Sequence, residues 1–143
     1  MSVTFNNIEV SKPILNYVGI ISWIKLYAHL YSYKLGELTF IFCSDEYLKD
    51  INVKYLSHDY YTDIITFDYT EDYFISGDMF ISIERIKDNS SNMGIEFDEE
   101  ILRVIIHGLL HLIGFNDSSE IEKIIMRNVE NESIIKFKSE SNV

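Results

Sequence analysis

One stretch organises the sequence: DEEILRVIIHGLLHLIGFND, residues 98–117. Its apolar residues recur at helical spacing, acidic residues stand at its start, and a glycine follows the apolar run. Asp98 is placed as an N-cap, and Glu99 and Glu100 in the first turn complement the positive end of the helix dipole. Gly114 is placed to end the helix in a left-handed cap. We therefore predict a helix that begins after Asp98 as its N-cap and ends at about Ile113.

Two histidines in this helix indicate a metal site. His107 and His111 are four residues apart and project from one helix face, so both imidazoles could reach one ion. Asp117, three residues after Gly114, offers a carboxylate that the turn could bring back to the same ion. The apolar neighbours of the histidines offer them no hydrogen-bond partner, which favours a metal over a purely structural role. For Asp117 a plain turn or capping role stays open, because Asp before two serines is common in turns.

The spacing matches the extended zinc-peptidase motif H-E-x-x-H-x-x-G-x-x-H. Gly108 stands where such a peptidase has its glutamate. Because glycine cannot take a proton from zinc-bound water, the sequence argues against proteolysis.

The rest of the chain predicts helices interspersed with short strands. Apolar spacing predicts helices over residues 14–33, 45–55, 84–92 and 118–137, with Gly36 after the first and Ser44 or Asp45 as the cap of the second. Apolar and β-branched runs predict strands over 38–43, 63–69 and 78–83. This order predicts an α+β fold, with one small mixed sheet packed with several helices. The metal site would lie on a central helix and the turn after it.

Composition predicts one domain. The chain has 143 residues, is 47% hydrophobic, and shows no repeat or linker, so we predict a single domain over 1–143 with a frayed tail from about residue 138.

A single cysteine, Cys43, excludes an internal disulfide and is typical of a reducing compartment. The start has no secretory signal, and the longest apolar stretch, 104–115, is shorter than the roughly 20 residues of a membrane span. We therefore expect a cytoplasmic protein.

With these motifs in place, the sequence resembles the YbeY family of bacterial endoribonucleases, the ribosomal RNA maturation factors. Residues 107–115, HGLLHLIGF, resemble the start of the family signature H-G-x-L-H-L-x-G-Y-D-H, in which three histidines hold zinc. Residues 61–67, YTDIITF, resemble its P-T-D-V-L-S-F strand, and residues 77–82, GDMFIS, resemble its G-D-I-x-I-S strand. The order and spacing of these blocks agree from about residue 38 to residue 126.

The resemblance implies a zinc-dependent endoribonuclease, a hydrolase specific for single-stranded RNA. It implies a role in ribosomal RNA maturation and ribosome quality control, with one Zn²⁺ per chain. The expected partners are ribosomal RNA and the small ribosomal subunit, and neither DNA nor a membrane. The alternative is a non-catalytic ribosome-assembly factor that a metal merely stabilises. A net charge of −11 favours that alternative, because an acidic surface disfavours broad nucleic-acid binding.

The sequence departs from the family pattern at several positions. Asp117 replaces the third histidine, Asn116 replaces the aspartate before it, and Leu56 stands where the family has an arginine. Arg103, one turn before His107, could supply a cation near the metal or simply pair with Glu99 or Glu100.

The loop before residue 63 carries further candidates. His58 could face the cleft or be an ordinary surface histidine. Among the many aromatic residues, Tyr60 and Tyr61 are the ones whose loop position favours stacking on unpaired bases. The general acid and base cannot be identified from the sequence.

Overall fold

The computed structural model describes residues 2–141, in which helices and strands alternate. The strands are β1 (Ser2–Asn7), β2 (Lys34–Cys43), β3 (Ile64–Asp68) and β4 (Phe74–Ser82). The helices are α1 (Tyr17–Leu30), α2 (Asp45–Leu56), α3 (Ile83–Met93), α4 (Phe97–Ile113) and α5 (Glu120–Ser141). The predicted α+β fold is confirmed, with helices packed on one small sheet.

The sheet is mixed, in the order β1-β2-β4-β3. β1 and β4 flank β2 and run parallel to it, whereas β3 pairs antiparallel with β4. Parallel neighbours need a long crossover, and α1 supplies it between β1 and β2. The β3–β4 pair is a hairpin, so the acidic loop between them is a short turn.

Strand side chains alternate between two hydrophobic cores on opposite faces of the sheet. Phe40, Met79 and Ile81 enter the larger core, which also contains residues of α1, α4 and α5. Cys43 and Ile65 enter the smaller core with Leu48 and Ile51 of α2. Helices α4 and α2 therefore cover opposite faces, and α4 lies in the larger core.

Helix α4 is buried on nearly all sides, because it contacts β3 and β4 as well as α1, α3 and α5. Between residues 101 and 113, only Arg103, His107 and His111 are not buried. These three residues are four apart, so they form a single polar stripe along one face of the helix. The apolar sequence of α4 thus places two histidines at the one edge of the helix that a ligand can reach.

The predicted start of α4 is wrong by two residues. Glu96 occupies the N-cap position without a side-chain cap, and Asp98 stands in the first turn with Glu99 and Glu100. The acidic residues therefore act through the helix dipole rather than through a capping hydrogen bond. The predicted end is confirmed, because Gly114 forms a left-handed cap with a φ of 115°.

The first helix is shorter than predicted. α1 begins after Asn16, whose side chain accepts a hydrogen bond from the Gly19 N–H, and ends at Leu30. Gly36 does not end it: Ser32 takes the positive φ of the turn, and Gly36 lies inside β2.

Four other elements are either unpredicted or longer than predicted. β1 was not predicted, β2 and β4 each begin four residues earlier than expected, and α5 continues as a helix to Ser141. The predicted frayed tail therefore begins inside α5, and its residues 142 and 143 lie outside the described part of the chain. Across residues 2–141, we find no helix with the length and apolar character needed to cross a bilayer.

Candidate metal centre

Helix α4 and the turn after it bring together the three predicted ligands, His107, His111 and Asp117. The histidines stand one turn apart on the polar stripe of α4, with ring centroids 4.6 Å apart. After Ile113 the chain reverses, because the N–H groups of Gly114 and Phe115 both bond to the Leu110 carbonyl. The reversal returns Asp117 to the histidines.

Asp117 is not the cap of the following helix. Ser119 has that role: its Oγ accepts from the Glu122 N–H, and the Glu122 carboxylate accepts from the Ser119 N–H. Because Ser119 caps α5, the Asp117 side chain is not needed as a cap, and it points to the histidines instead.

The distances between the three side chains fit one metal ion. The two Nε2 atoms lie 3.0 Å apart, and Asp117 Oδ2 lies 3.4 Å from His107 Nε2 and 3.6 Å from His111 Nε2. Tetrahedral ligands at about 2.0–2.1 Å from zinc are about 3.3–3.4 Å from one another. Two imidazoles and a carboxylate are also ligands that zinc accepts. The group could therefore hold a metal ion.

Hydrogen bonds behind the two rings set their tautomers. His107 Nδ1 lies 2.7 Å from Oε2 of Glu130 on α5, and His111 Nδ1 lies 3.1 Å from the carbonyl oxygen of Phe115. Both partners are acceptors, so each Nδ1 carries a proton and donates it. In the neutral rings both Nε2 lone pairs then face each other beside the Asp117 carboxylate. Three electron-rich atoms converge on one point, which a cation would stabilise.

The closeness of the charged groups shifts the pKa values of the two rings in opposite directions. Burial lowers the pKa of His107, but the hydrogen bond and charge of Glu130, with the charges of Asp117 and Asp63, outweigh it and leave the pKa raised. Burial and the charge of His107 lower the pKa of His111. The pair thus takes up one proton readily and resists a second. A metal ion would compete for the position of that proton.

One flank of the centre is the Arg103 pocket, a cavity of about 280 Å³ that His107 and Asp117 also line. Its other charged residues are the cations Arg103, Lys123 and Arg127 and the acids Asp63, Glu100 and Glu130. Arg103 donates to Asn131 at 2.7 Å and lies 3.6 Å from Glu100 and 3.5 Å from Glu130. The pairing with Glu100 that the sequence left open is therefore present, and the same arginine still lines the pocket.

Burial raises the pKa of two acids in this pocket, Asp63 and Glu100. The charge of His107 opposes the shift at Asp63, and the charge of Arg103 opposes it at Glu100. One oxygen of Glu100 is buried without a hydrogen bond. Burial thus favours the protonated form of both carboxyl groups.

The other flank is the His58 pocket, a cavity of about 640 Å³. All three candidate ligands line it, together with Leu56, His58 and Tyr60. His58 is exposed, as expected of a surface histidine, yet it lines the cleft. Tyr61 points elsewhere, because its hydroxyl donates to Glu46 of α2.

Gly108 faces the sheet. A Cβ atom at this position would meet Ile64 Cδ1 at 3.0 Å and Met79 Sδ at 3.1 Å. The glycine thus permits close packing of α4 on β3 and β4. A glutamate here would enter the core, which gives a structural reason why the peptidase arrangement is absent.

Sequence reasoning missed Glu130, Glu100 and Asp63 as parts of the site. Glu130 is only 4% exposed, four residues from each of the buried residues Met126 and Ile134. An acidic residue on the apolar face of an amphipathic helix is the signal that could have identified it, since buried carboxylates need a partner.

Comparison with known proteins agrees with these observations. The family described as "Endoribonuclease YbeY" matches residues 8–138. A protein named endoribonuclease YbeY from Bacteroides thetaiotaomicron is 46% identical over 134 residues, covering 94% of this chain and 98% of its own. One of the same name from Flavobacterium johnsoniae is 51% identical over 102 residues, 71% of this chain and 73% of its own.

A solved structure shares the fold. The solution structure of TM1509 from Thermotoga maritima superimposes with a TM-score of 0.68, covering 99% of this chain and 92% of that one. At 18% identity this similarity concerns the fold alone.

Proposed function

The chain belongs to the endoribonuclease YbeY family, and from this premise we propose that it is a zinc-dependent endoribonuclease that cuts single-stranded RNA. Its role would be in ribosomal RNA maturation and ribosome quality control, with ribosomal RNA and the small ribosomal subunit as partners. That role would place it with the ribosomes in the cytoplasm.

The convergence of His107, His111 and Asp117 is the observation that carries the proposal. The two rings have their Nδ1 protons committed to acceptors, so their Nε2 lone pairs are directed at a common point with Oδ2 of Asp117. Among residues 2–141, His107, His111 and Asp117 form the one group of three or more His, Cys, Asp or Glu side chains that lie close enough together to hold a metal ion. Structural zinc sites usually have four protein ligands, and three ligands leave a position for water or substrate.

When bound, zinc supplies a Lewis acid that acidifies water and polarises a phosphoryl oxygen. The protein's own groups have separate tasks. Glu130 holds the His107 ring in its ligand tautomer and orientation. Arg103, Lys123 and Arg127 offer positive charge to the phosphates on one flank. Asp63, which lines both pockets, is placed to hold a proton beside the centre.

The proposal has a rival, a ribosome-assembly factor in which the metal only stabilises the fold. The net charge of −11 and Leu56 in place of the family arginine favour it, since both weaken attraction for phosphate. The Arg103 pocket argues for catalysis, because it places three cations, Arg103, Lys123 and Arg127, beside the candidate metal ligands, where they could contact a phosphate.

Zinc content and RNA cleavage test the proposal together. Protein purified without chelator should contain about one zinc per chain by elemental analysis and should cut single-stranded but not duplex RNA. A chelator should stop cleavage, and added zinc should restore it. His111→Ala should lose both zinc and activity, whereas His29→Ala, an exposed histidine on α1, should keep both.

Three results separate the alternatives. Equal zinc in His111→Ala and His29→Ala would refute the ligand assignment. A zinc-loaded protein that cuts no RNA while ribosome assembly still depends on it would establish the assembly factor. Cleavage that survives complete removal of zinc would refute metal dependence.

A further inference from the structure

We infer that His58 and Tyr60 form a stacking platform for one unpaired nucleobase of the RNA, beside the metal centre. The inference rests on the proposed function, because it assigns a base-binding subsite within the same cleft. It concerns residues 57–62 of the loop after α2, which the proposed metal chemistry does not use.

The two rings form a preassembled surface. Their centroids are 5.2 Å apart with an angle of 19° between planes, and the Tyr60 hydroxyl lies 3.1 Å from His58 Nδ1. Tyr60 is nevertheless 54% exposed. Exposed aromatic rings that are already oriented lose little conformational freedom when a base stacks on them.

A buried asparagine holds this loop in place. Asn52 of α2 is 2% exposed, and its side-chain amide donates to the Tyr60 carbonyl at 3.0 Å. Its own backbone carbonyl accepts from the His58 N–H at 3.1 Å. One residue of a packed helix therefore anchors both members of the pair, so the platform is a built feature of the fold.

The platform opens onto the reaction centre. His58 and Tyr60 line the same cavity of about 640 Å³ as His107 and His111. Polar side chains of Thr62, Thr66 and Asp68 line this cavity too and could hydrogen-bond to a base edge or a ribose. A nucleotide whose base rests on the platform would therefore lie in the same cavity as the candidate metal ligands.

Stacking suits this protein's charge. A net charge of −11 limits the attraction of the surface for phosphates, and Leu56 supplies no cation where the family has one. Stacking on an aromatic ring is independent of net charge and available only to an unpaired base. The platform would therefore contribute affinity and single-strand selectivity at once.

The test compares two tyrosines that are similarly exposed. Tyr60→Ala removes the platform, whereas Tyr73→Ala removes a ring that is 51% exposed and stacked on Phe74 in the β3–β4 turn. The probe is a short single-stranded RNA that contains one 2-aminopurine, a base whose fluorescence is quenched by stacking. Stopped-flow mixing reads binding before cleavage, and elemental analysis checks that zinc content is unchanged.

Tyr60→Ala should weaken binding about 5- to 100-fold and abolish the quenching. Tyr73→Ala should bind as the wild type does, and Tyr60→Phe, which keeps the ring, should retain most of the affinity. An RNA with an abasic site in place of the 2-aminopurine should bind the wild type and Tyr60→Ala alike.

Wild-type affinity and quenching in Tyr60→Ala would overturn the platform while leaving the proposed nuclease intact. An equal loss in Tyr60→Ala and Tyr73→Ala would also overturn it, because the effect would then not belong to the cleft. A wild-type protein that binds no single-stranded RNA would overturn both this inference and the proposed function.

Discussion

Glu130→Gln should perturb the candidate metal centre while leaving all three candidate ligands in place. Glu130 is 4% exposed, and its Oε2 accepts a proton from His107 Nδ1 across 2.7 Å. Glutamine has nearly the same shape, but its one acceptor oxygen is neutral. We therefore expect the His107 ring to stay close to its present position with a weaker hold on its tautomer and a less basic Nε2.

The size of the effect follows from the type of hydrogen bond. A bond to a charged group is worth about 1.5–3 kcal/mol and a neutral one about 0.5–1.5 kcal/mol. The difference of about 1–2 kcal/mol corresponds to about a 5- to 30-fold increase in the Kd for zinc. Loss of an outer partner of a metal-ligating histidine typically costs about 10- to 100-fold, which overlaps this range.

The assay is zinc competition against a chromophoric chelator, with Glu132→Gln as the matched control. Glu132 lies on the same helix, is exposed, and undergoes the same loss of charge. Glu130→Gln also removes the ion pairs with Arg103 and Arg127, so thermal unfolding must confirm that both variants are folded at the assay temperature. If Glu130→Gln binds zinc as tightly as Glu132→Gln does, Glu130 is a partner of the arginines and does not orient the metal site.

Four further predictions follow from the geometry. Asp117→Ala should weaken zinc binding by at least 10-fold, and full zinc occupancy at micromolar metal in this variant would mean that the third ligand lies elsewhere. The pKa of His107 is higher in the folded protein than in the unfolded chain, so protonation of His107 stabilises the metal-free fold. This stabilisation is fully present below the unfolded pKa of about 6.5 and is lost as pH rises through the folded pKa. Zinc must displace that proton, so its affinity should fall as pH drops through the same raised pKa, and an affinity that is constant from pH 8 to 5 would contradict this. Burial raises the pKa of Cys43 to about 12, so the thiol should resist a disulfide reagent at pH 8 until the protein is unfolded; rapid labelling of the folded protein would show that it is accessible. Gly108→Glu should cost several kcal/mol of stability by placing a carboxylate against Ile64 and Met79, and an unchanged melting temperature would show that position 108 does not face the sheet.

The elements that could be predicted from sequence are those with a strong local pattern. Helix α2, capped by Ser44, and the left-handed end of α4 at Gly114 follow from a few adjacent residues, and both were predicted correctly. Strand β1 was missed because it is a short edge strand with only two apolar side chains, the buried Phe5 and the partly buried Val3, which is too short an alternation to identify a strand. Gly36 was misassigned because its place in β2 depends on pairing with β4, about forty residues away.

The sequence by itself identified the candidate ligand group of His107, His111 and Asp117, which the structure brings together. These residues lie within eleven positions of one another, where helical periodicity and one glycine turn specify direction without reference to the rest of the chain. Tertiary structure alone decided their surroundings: Glu130 reaches His107 because α5 packs on α4, and His58 reaches the cleft because Asn52 holds its loop. Packing between separate elements depends on long-range contacts among many side chains, and the pattern within any one segment does not contain that information.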